Sequence, residues 1–127
     1  MEQENVYSGY FDGACAPQNP GGHIGIGCVI GFNKKIVHRI SDYKAAAPEN
    51  SNNLAEYMAL NRLLDYFIAV GATKKDITIC GDSLLVIRQM QGDWRIKEGA
   101  YVQTAYTCKE KAKLFSDISF KWIPREQ

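Results

Sequence analysis

The sequence predicts an α/β fold, a mixed sheet of five strands with helices packed against it. Three observations carry this. Strand-like apolar runs joined by short turns fill the first third of the chain. From Leu54 the apolar residues switch to helical spacing, and beyond Gly71 short buried strands alternate with further helical segments. At 127 residues the chain fits one domain with one core, so residues 1–127 are read as a single unit.

Residues 5–12 (NVYSGYFD) are rich in aromatic and β-branched types and read as the first strand. The segment GACAPQNPGG is dense in Gly and Pro and reads as a loop. Residues 23–32 (HIGIGCVIGF) form a second strand, its glycines alternating with larger residues as where another element approaches closely. Residues 35–42 (KIVHRISD) form a third, and the short connections favour an antiparallel meander. Leu54, Tyr57, Met58, Leu60, Leu63, Leu64, Phe67 and Ile68 then mark one face of a helix that Gly71 ends. Lys75–Cys80 is a short buried strand, Ser83–Gln91 a helix, Gly92–Gly99 a loop and Ala100–Phe115 a third helix. Ile118–Ile123 is the last strand, stopped by Pro124. The two later strands enter through helical crossovers and therefore run parallel to the first.

The bulk composition narrows the function. The N-terminus MEQENVYSGY lacks the basic-then-apolar pattern of a secretory signal, and LLDYFIAV is too short to span a bilayer. The expectation is a cytoplasmic protein with no membrane partner. Cys15, Cys28, Cys80 and Cys108 share no C-x-x-C spacing, so they are read as reduced thiols rather than zinc ligands or disulfides. Fifteen Lys and Arg nearly cancel fourteen Asp and Glu, leaving a net charge of +1. A nucleic-acid partner must therefore be held by local contacts or by metal, not by a global basic field.

Three acids stand where elements begin or end. Asp12 closes the first strand, Glu56 lies in the first turn of the long helix, and Asp82 follows the strand ITIC through Gly81. Alone, each has a plainer explanation. Asp12-Gly13 is a turn signal, Asn53-x-x-Glu56 resembles a capping box, and Asp82 suits an N-cap. Taken together they point elsewhere. Ligands gather at the carboxyl ends of parallel strands, and converging carboxylates repel unless cations neutralise them. Hard oxygen donors favour Mg²⁺ or Mn²⁺ over zinc.

The segments YFDGAC, NPGG, GIGCVI, NNLAEYMAL, GDSLLVIRQMQGDW and KWIPRE resemble, in order and spacing, the signature blocks of the type 1 ribonucleases H. The stretch GDWRIKEGAYVQ is similar to the compact subgroup that lacks a basic protrusion. The resemblance implies a ribonuclease H-like fold with strand order 3-2-1-4-5 and helices on both faces. It implies Asp12, Glu56 and Asp82 as catalytic metal ligands, with the Gly13 backbone beside them and two Mg²⁺ or Mn²⁺ ions bound when substrate is present. The implied reaction is endonucleolytic hydrolysis of the RNA strand of an RNA/DNA hybrid by metal-activated water, leaving 5′-phosphate and 3′-hydroxyl ends. No obligate protein partner is implied. Gly13, Ala14, Cys15, Asn19, Asn52 and Asn53 would face the hybrid's minor groove, joined by Ser83 and Leu84, while Trp94, Arg95 and Arg125 would reach the DNA strand or phosphates.

The match departs from the family in three places. The sequence given stops at Gln127, before the position of the family's fourth carboxylate, so either it is a piece of a longer chain or the site works with three acids, with Glu126 as the nearby substitute. A site of three acids is expected to bind one metal more weakly and to prefer Mn²⁺. The late histidine of many relatives has no counterpart, since His23 and His38 both sit in early strands. The stretch from Asp12 to Asn19 is one residue longer than the common pattern. The alternative reading is therefore a catalytically impaired ribonuclease H-like domain that binds nucleic acid.

Overall fold

The computed structural model describes residues 5–125. Its elements are β1 (Val6–Ala16), β2 (His23–Phe32), β3 (Lys35–Lys44), α1 (Asn52–Ala69), β4 (Asp76–Gly81), α2 (Leu84–Gln91), α3 (Val102–Ala112) and β5 (Asp117–Trp122). The strands make one sheet in the order β3-β2-β1-β4-β5. β1, β2 and β3 form the antiparallel meander, while β4 runs parallel to β1 and β5 parallel to β4. The expected order and strand directions both hold.

β1 is longer than its composition implied. Gly13, Ala14, Cys15 and Ala16, read as loop, continue the ladder opposite Ile26, Gly25, Ile24 and His23. Small residues with weak strand preference are carried here by pairing with the apolar second strand. β3 likewise runs on to Lys44, where the meander supplies partners.

Alternation along β1 divides the sheet into two unlike faces. Phe11 and Cys15 are buried beneath α1, as are Ile24, Ile26, Cys28 and Ile30 of β2 and Ile77 and Ile79 of β4. Leu60, Leu63, Leu64 and Phe67 of α1 complete this core. α3 packs on α1, and α2 packs on β5 and β4. All three helices contribute buried residues to this core, among them Leu60 of α1, Ile87 of α2 and Cys108 of α3. The other face presents Ser8, Tyr10 and Asp12 on β1 and Thr78 on β4, polar groups compatible with water.

Of the glycines of β2, Gly31 marks a close approach, since a Cβ there would stand 2.7 Å from Ser8 Oγ of β1. A Cβ at Gly25 would meet nothing within 4 Å and one at Gly27 only the Ile40 carbonyl oxygen at 3.8 Å, while β1 is tight at Gly9 against Leu63 and at Gly13 against the backbone of α1. Among the described residues no helix is long and apolar enough to cross a membrane.

Candidate active site

Asp12 and Asp82 occupy equivalent places on neighbouring parallel strands. The last parallel pair is Phe11 with Gly81, and each aspartate is the next residue along the chain. The carboxylates therefore emerge side by side at the carboxyl edge of the sheet, where ligands collect in open α/β folds.

Glu56 arrives from α1, the fifth residue along from its N-terminal end at Asn52. The helix is capped by Ser51, whose side chain accepts the Leu54 amide at 3.1 Å, and not by Asn53 as the capping-box reading had it. Glu56 does not reach back to a cap. Its Oε1 instead accepts the Gly13 amide across the gap between helix and strand, at 2.8 Å. The contact exists because residue 13 has no side chain. A Cβ there would stand 2.3 Å from the Ala55 carbonyl oxygen.

Asp12, Glu56 and Asp82 each offer one carboxylate oxygen within 4.8 Å of the others. Burial is the chief cause that pushes Glu56 up to about 8, reinforced by the charges of Asp12 and Asp82 and opposed by the Gly13 amide. Asp12 is also raised, first by burial and next by Asp82, while Arg125 and the Gly13 amide pull it down. Such a cluster favours taking up positive charge. Arg125 supplies some, its Nε donating to Asp82 Oδ2 at 2.6 Å and a terminal nitrogen to Asp12 Oδ1 at 3.3 Å. An all-oxygen set of three acids suits a hard divalent cation and fits poorly with zinc.

Around this centre the remaining candidates fall into two groups. The first surrounds the acids. Gly13, Ala14 and Cys15 extend β1 past Asp12, and Asn52 Oδ1 accepts the Cys15 amide at 2.8 Å. The Asn52 amide donates to Asn19 Oδ1 at 3.0 Å, which ties the 17–22 segment to the start of α1. Asn53 lies exposed in the first turn of that helix. Ser83 is the N-cap of α2, accepting the Val86 amide, and Leu84 follows it half-buried. The plain cap reading given to Asp82 belongs to Ser83. Arg125, expected at phosphate, contacts the acids themselves.

The second group is separate. Trp94 and Arg95 sit in the segment between α2 and α3, and among the described residues no hydrogen bond or ion pair joins them to the acids. Glu126 lies outside the described residues. Two groups went unnoticed in the sequence. Tyr10 lies near all three acids, and burial followed by the charges of Asp82 and Asp12 raises its phenol. Gln89 is fully buried, a polar residue on the apolar stripe of α2, and that mismatch of pattern was its available signal.

Comparison with known proteins agrees with this arrangement. Residues 10–127 match the family model described as reverse transcriptase-like. The bifunctional protein Rv2228c of Mycobacterium tuberculosis is 33% identical over 86 residues, covering 68% of this chain and 23% of that protein. The chain thus spans under a quarter of the length of the curated relatives it matches first. The RNase H1 of the archaeon Halobacterium salinarum superposes with a TM-score of 0.80 at 30% identity, covering 94% of this chain and 86% of that one. LC11-RNase H1, solved in complex with an RNA/DNA hybrid, superposes at 0.82 with 32% identity and the same coverage. With the strand order, the strand-end aspartates and these matches in agreement, the chain belongs to the reverse transcriptase-like family and, within it, to the type 1 ribonucleases H.

Proposed function

We propose that this chain is an endoribonuclease that hydrolyses the RNA strand of RNA/DNA hybrids by two-metal-ion catalysis, giving 5′-phosphate and 3′-hydroxyl ends. The observation that carries the reading is the convergence of Asp12, Glu56 and Asp82 within 4.8 Å at the carboxyl edge of the parallel strands. These three would hold Mg²⁺ or Mn²⁺. When bound, such ions lower the pKa of an attacking water and neutralise charge on the leaving oxygen.

The chain's own residues do the positioning. The Gly13 amide fixes the Glu56 carboxyl by one oxygen. Asn19 and Asn52 use their carbonyl oxygens on backbone amides, and among the described residues their NH₂ groups have no protein acceptor. These donors, with Asn53 and the backbone of Gly13 to Cys15, suit the 2′-hydroxyls of a shallow minor groove, the feature that separates RNA from DNA. Ser83 and Leu84 flank the same edge. Trp94 and Arg95 would take the DNA strand or its phosphates. LC11-RNase H1, bound to such a hybrid, is the precedent for the substrate class.

One observation favours a second reading, a domain that binds hybrid and cuts poorly. Arg125 rests on two of the three carboxylates and competes for the place a cation would take. The deciding experiment incubates the chain with end-labelled hybrid in Mg²⁺ and in Mn²⁺, with Asp12→Asn alongside. Cleavage that Asp12→Asn abolishes is the expected result. Cleavage that survives the substitution overturns the mechanism, and binding without cleavage in either metal establishes the second reading.

A further inference from the structure

The buried face of α2 carries one polar side chain. Val86, Ile87 and Met90 are apolar, and Gln89 lies among them with no exposed surface. A primary amide in that place is destabilising wherever one of its groups is left unpaired. Its Oε1 accepts the Tyr57 hydroxyl at 2.7 Å, and its Nε2 donates to the Arg95 carbonyl at 3.0 Å and to the Tyr101 hydroxyl at 3.2 Å. The Tyr101 hydroxyl also accepts the Lys97 amide at 3.3 Å. The Tyr57 and Tyr101 rings stack with centroids 5.7 Å apart and planes at 8°.

This network does more than fill a core. An apolar side chain of the same size would serve packing alone, and fully satisfied polar networks are retained where they define one geometry. Both loop atoms that it reaches, the Arg95 carbonyl and the Lys97 amide, belong to the segment between α2 and α3. The other end of the same segment is held by the Arg88 carbonyl, which accepts the Asp93 and Trp94 amides at 2.9 and 3.2 Å. The residue that anchors the network on α1 is Tyr57, directly after Glu56. Held in this way, the loop presents Trp94, 44% exposed, and Arg95. They border a hollow of about 410 Å³ shared with Tyr106 and Lys109. Aromatic faces beside cations suit stacked bases and phosphate.

We infer that Gln89 is a positioning residue for substrate, holding the 94–97 backbone in fixed relation to the helix that carries Glu56 so that Trp94 and Arg95 meet the strand paired with the RNA. The inference rests on the hybrid-cleaving function proposed above. Ordering the loop before binding spares that cost during association, so its loss weakens affinity and leaves the chemical step alone.

The test uses the full chain with Gln89→Met, which keeps volume and removes every hydrogen bond. KM for a labelled RNA/DNA hybrid in saturating Mg²⁺ is expected to rise about tenfold, with kcat within about twofold of wild type. Hydrogen exchange at the Lys97 amide should accelerate while β1 amides keep wild-type protection. Tyr101→Phe removes the acceptor that the Lys97 amide and Gln89 Nε2 share, leaves the other two Gln89 hydrogen bonds, and should shift KM in the same direction by less. That variant carries the test if Gln89→Met fails to fold. Unchanged KM and unchanged Lys97 exchange in a folded variant overturn the inference alone, as does a fall in kcat at constant KM. A wild-type chain that neither binds nor cuts the hybrid overturns the function, and this inference falls with it.

Discussion

Replacing Gly13 by alanine tests the junction that brings the acids together. The added Cβ would stand 2.3 Å from the Ala55 carbonyl oxygen, 2.4 Å from its carbon and 2.8 Å from the Glu56 nitrogen. All three are backbone atoms, so no rotamer change relieves the contact. Reaching even 3.0 Å requires strand and helix to part by about 0.7 Å, and comfortable contact requires nearer 1 Å. Overpacking of this kind costs about 1–3 kcal/mol, which at roughly 4 °C per kcal/mol lowers Tm by about 4–12 °C. The same displacement draws the Gly13 amide off Glu56 Oε1, now 2.8 Å away, and moves Glu56 away from Asp12. A misplacement near 1 Å in a reacting constellation is worth about a hundredfold in rate. Melting curves and kcat on a labelled hybrid in saturating Mg²⁺ measure the two effects separately. Gly25→Ala, with nothing within 4 Å of the new Cβ, is the melting control and should change stability by no more than about 0.5 kcal/mol. A Gly13→Ala chain with wild-type Tm and wild-type kcat would refute the account of how this site is assembled.

Arg125→Gln removes the internal cation that Asp12 and Asp82 now share, so the free protein should bind Mn²⁺ more tightly. Calorimetric titration measures this, and equal or weaker binding contradicts the competition. The buried thiols give a pH prediction. Burial pushes Cys28 and Cys108 up to about 12, from an ordinary 9.0. The fold therefore keeps their protons while the unfolded chain loses them. Stability from this source is complete below about pH 9 and falls between 9 and 12, by about 1.4 kcal/mol per pH unit for each thiol. Tyr57, also raised by burial, adds to the loss at the upper end. Urea midpoints should drop steadily from pH 9 to 10.5, and a flat profile there is the contrary result.

Most of the architecture was legible because it rests on periodicity. The switch from alternating residues to Leu54, Leu60, Leu63, Leu64 and Phe67 marks α1 without any tertiary knowledge, and Gly71 marks its end. What escaped depends on partners distant in sequence. Gly13 to Ala16 look like loop until Ile26 to His23 pair with them. Ser51 is the cap of α1, although Asn53 with Glu56 made the more familiar pattern, because Glu56 is drawn to Gly13 and is unavailable to the cap. Arg125 was assigned to phosphate because a lone sequence cannot show that its nearest anions are Asp12 and Asp82. Gln89 is in sequence one polar residue of a short helix, and its three partners come from α1, the 94–97 loop and the approach to α3.

The three acids also show why residue-by-residue reading underrates such a cluster. In the sequence each occupies a position where an acid is locally sensible, at the end of a strand-like run or near the start of a helical one. The local explanations are nevertheless not the ones realised. Ser51 and Ser83 cap the two helices, which leaves Glu56 and Asp82 without capping duty. Once caps are assigned elsewhere, burying Glu56 to 9% exposure beside two aspartates has no stabilising rationale of its own, since desolvation and like charge both oppose it. A fold tolerates that conflict where something outside the protein relieves it. Among the described residues the relief from within comes from the Gly13 amide and the exposed guanidinium of Arg125. The arrangement is thus one that a divalent cation improves, and its cost is the physical argument for a bound metal that composition and spacing could not supply.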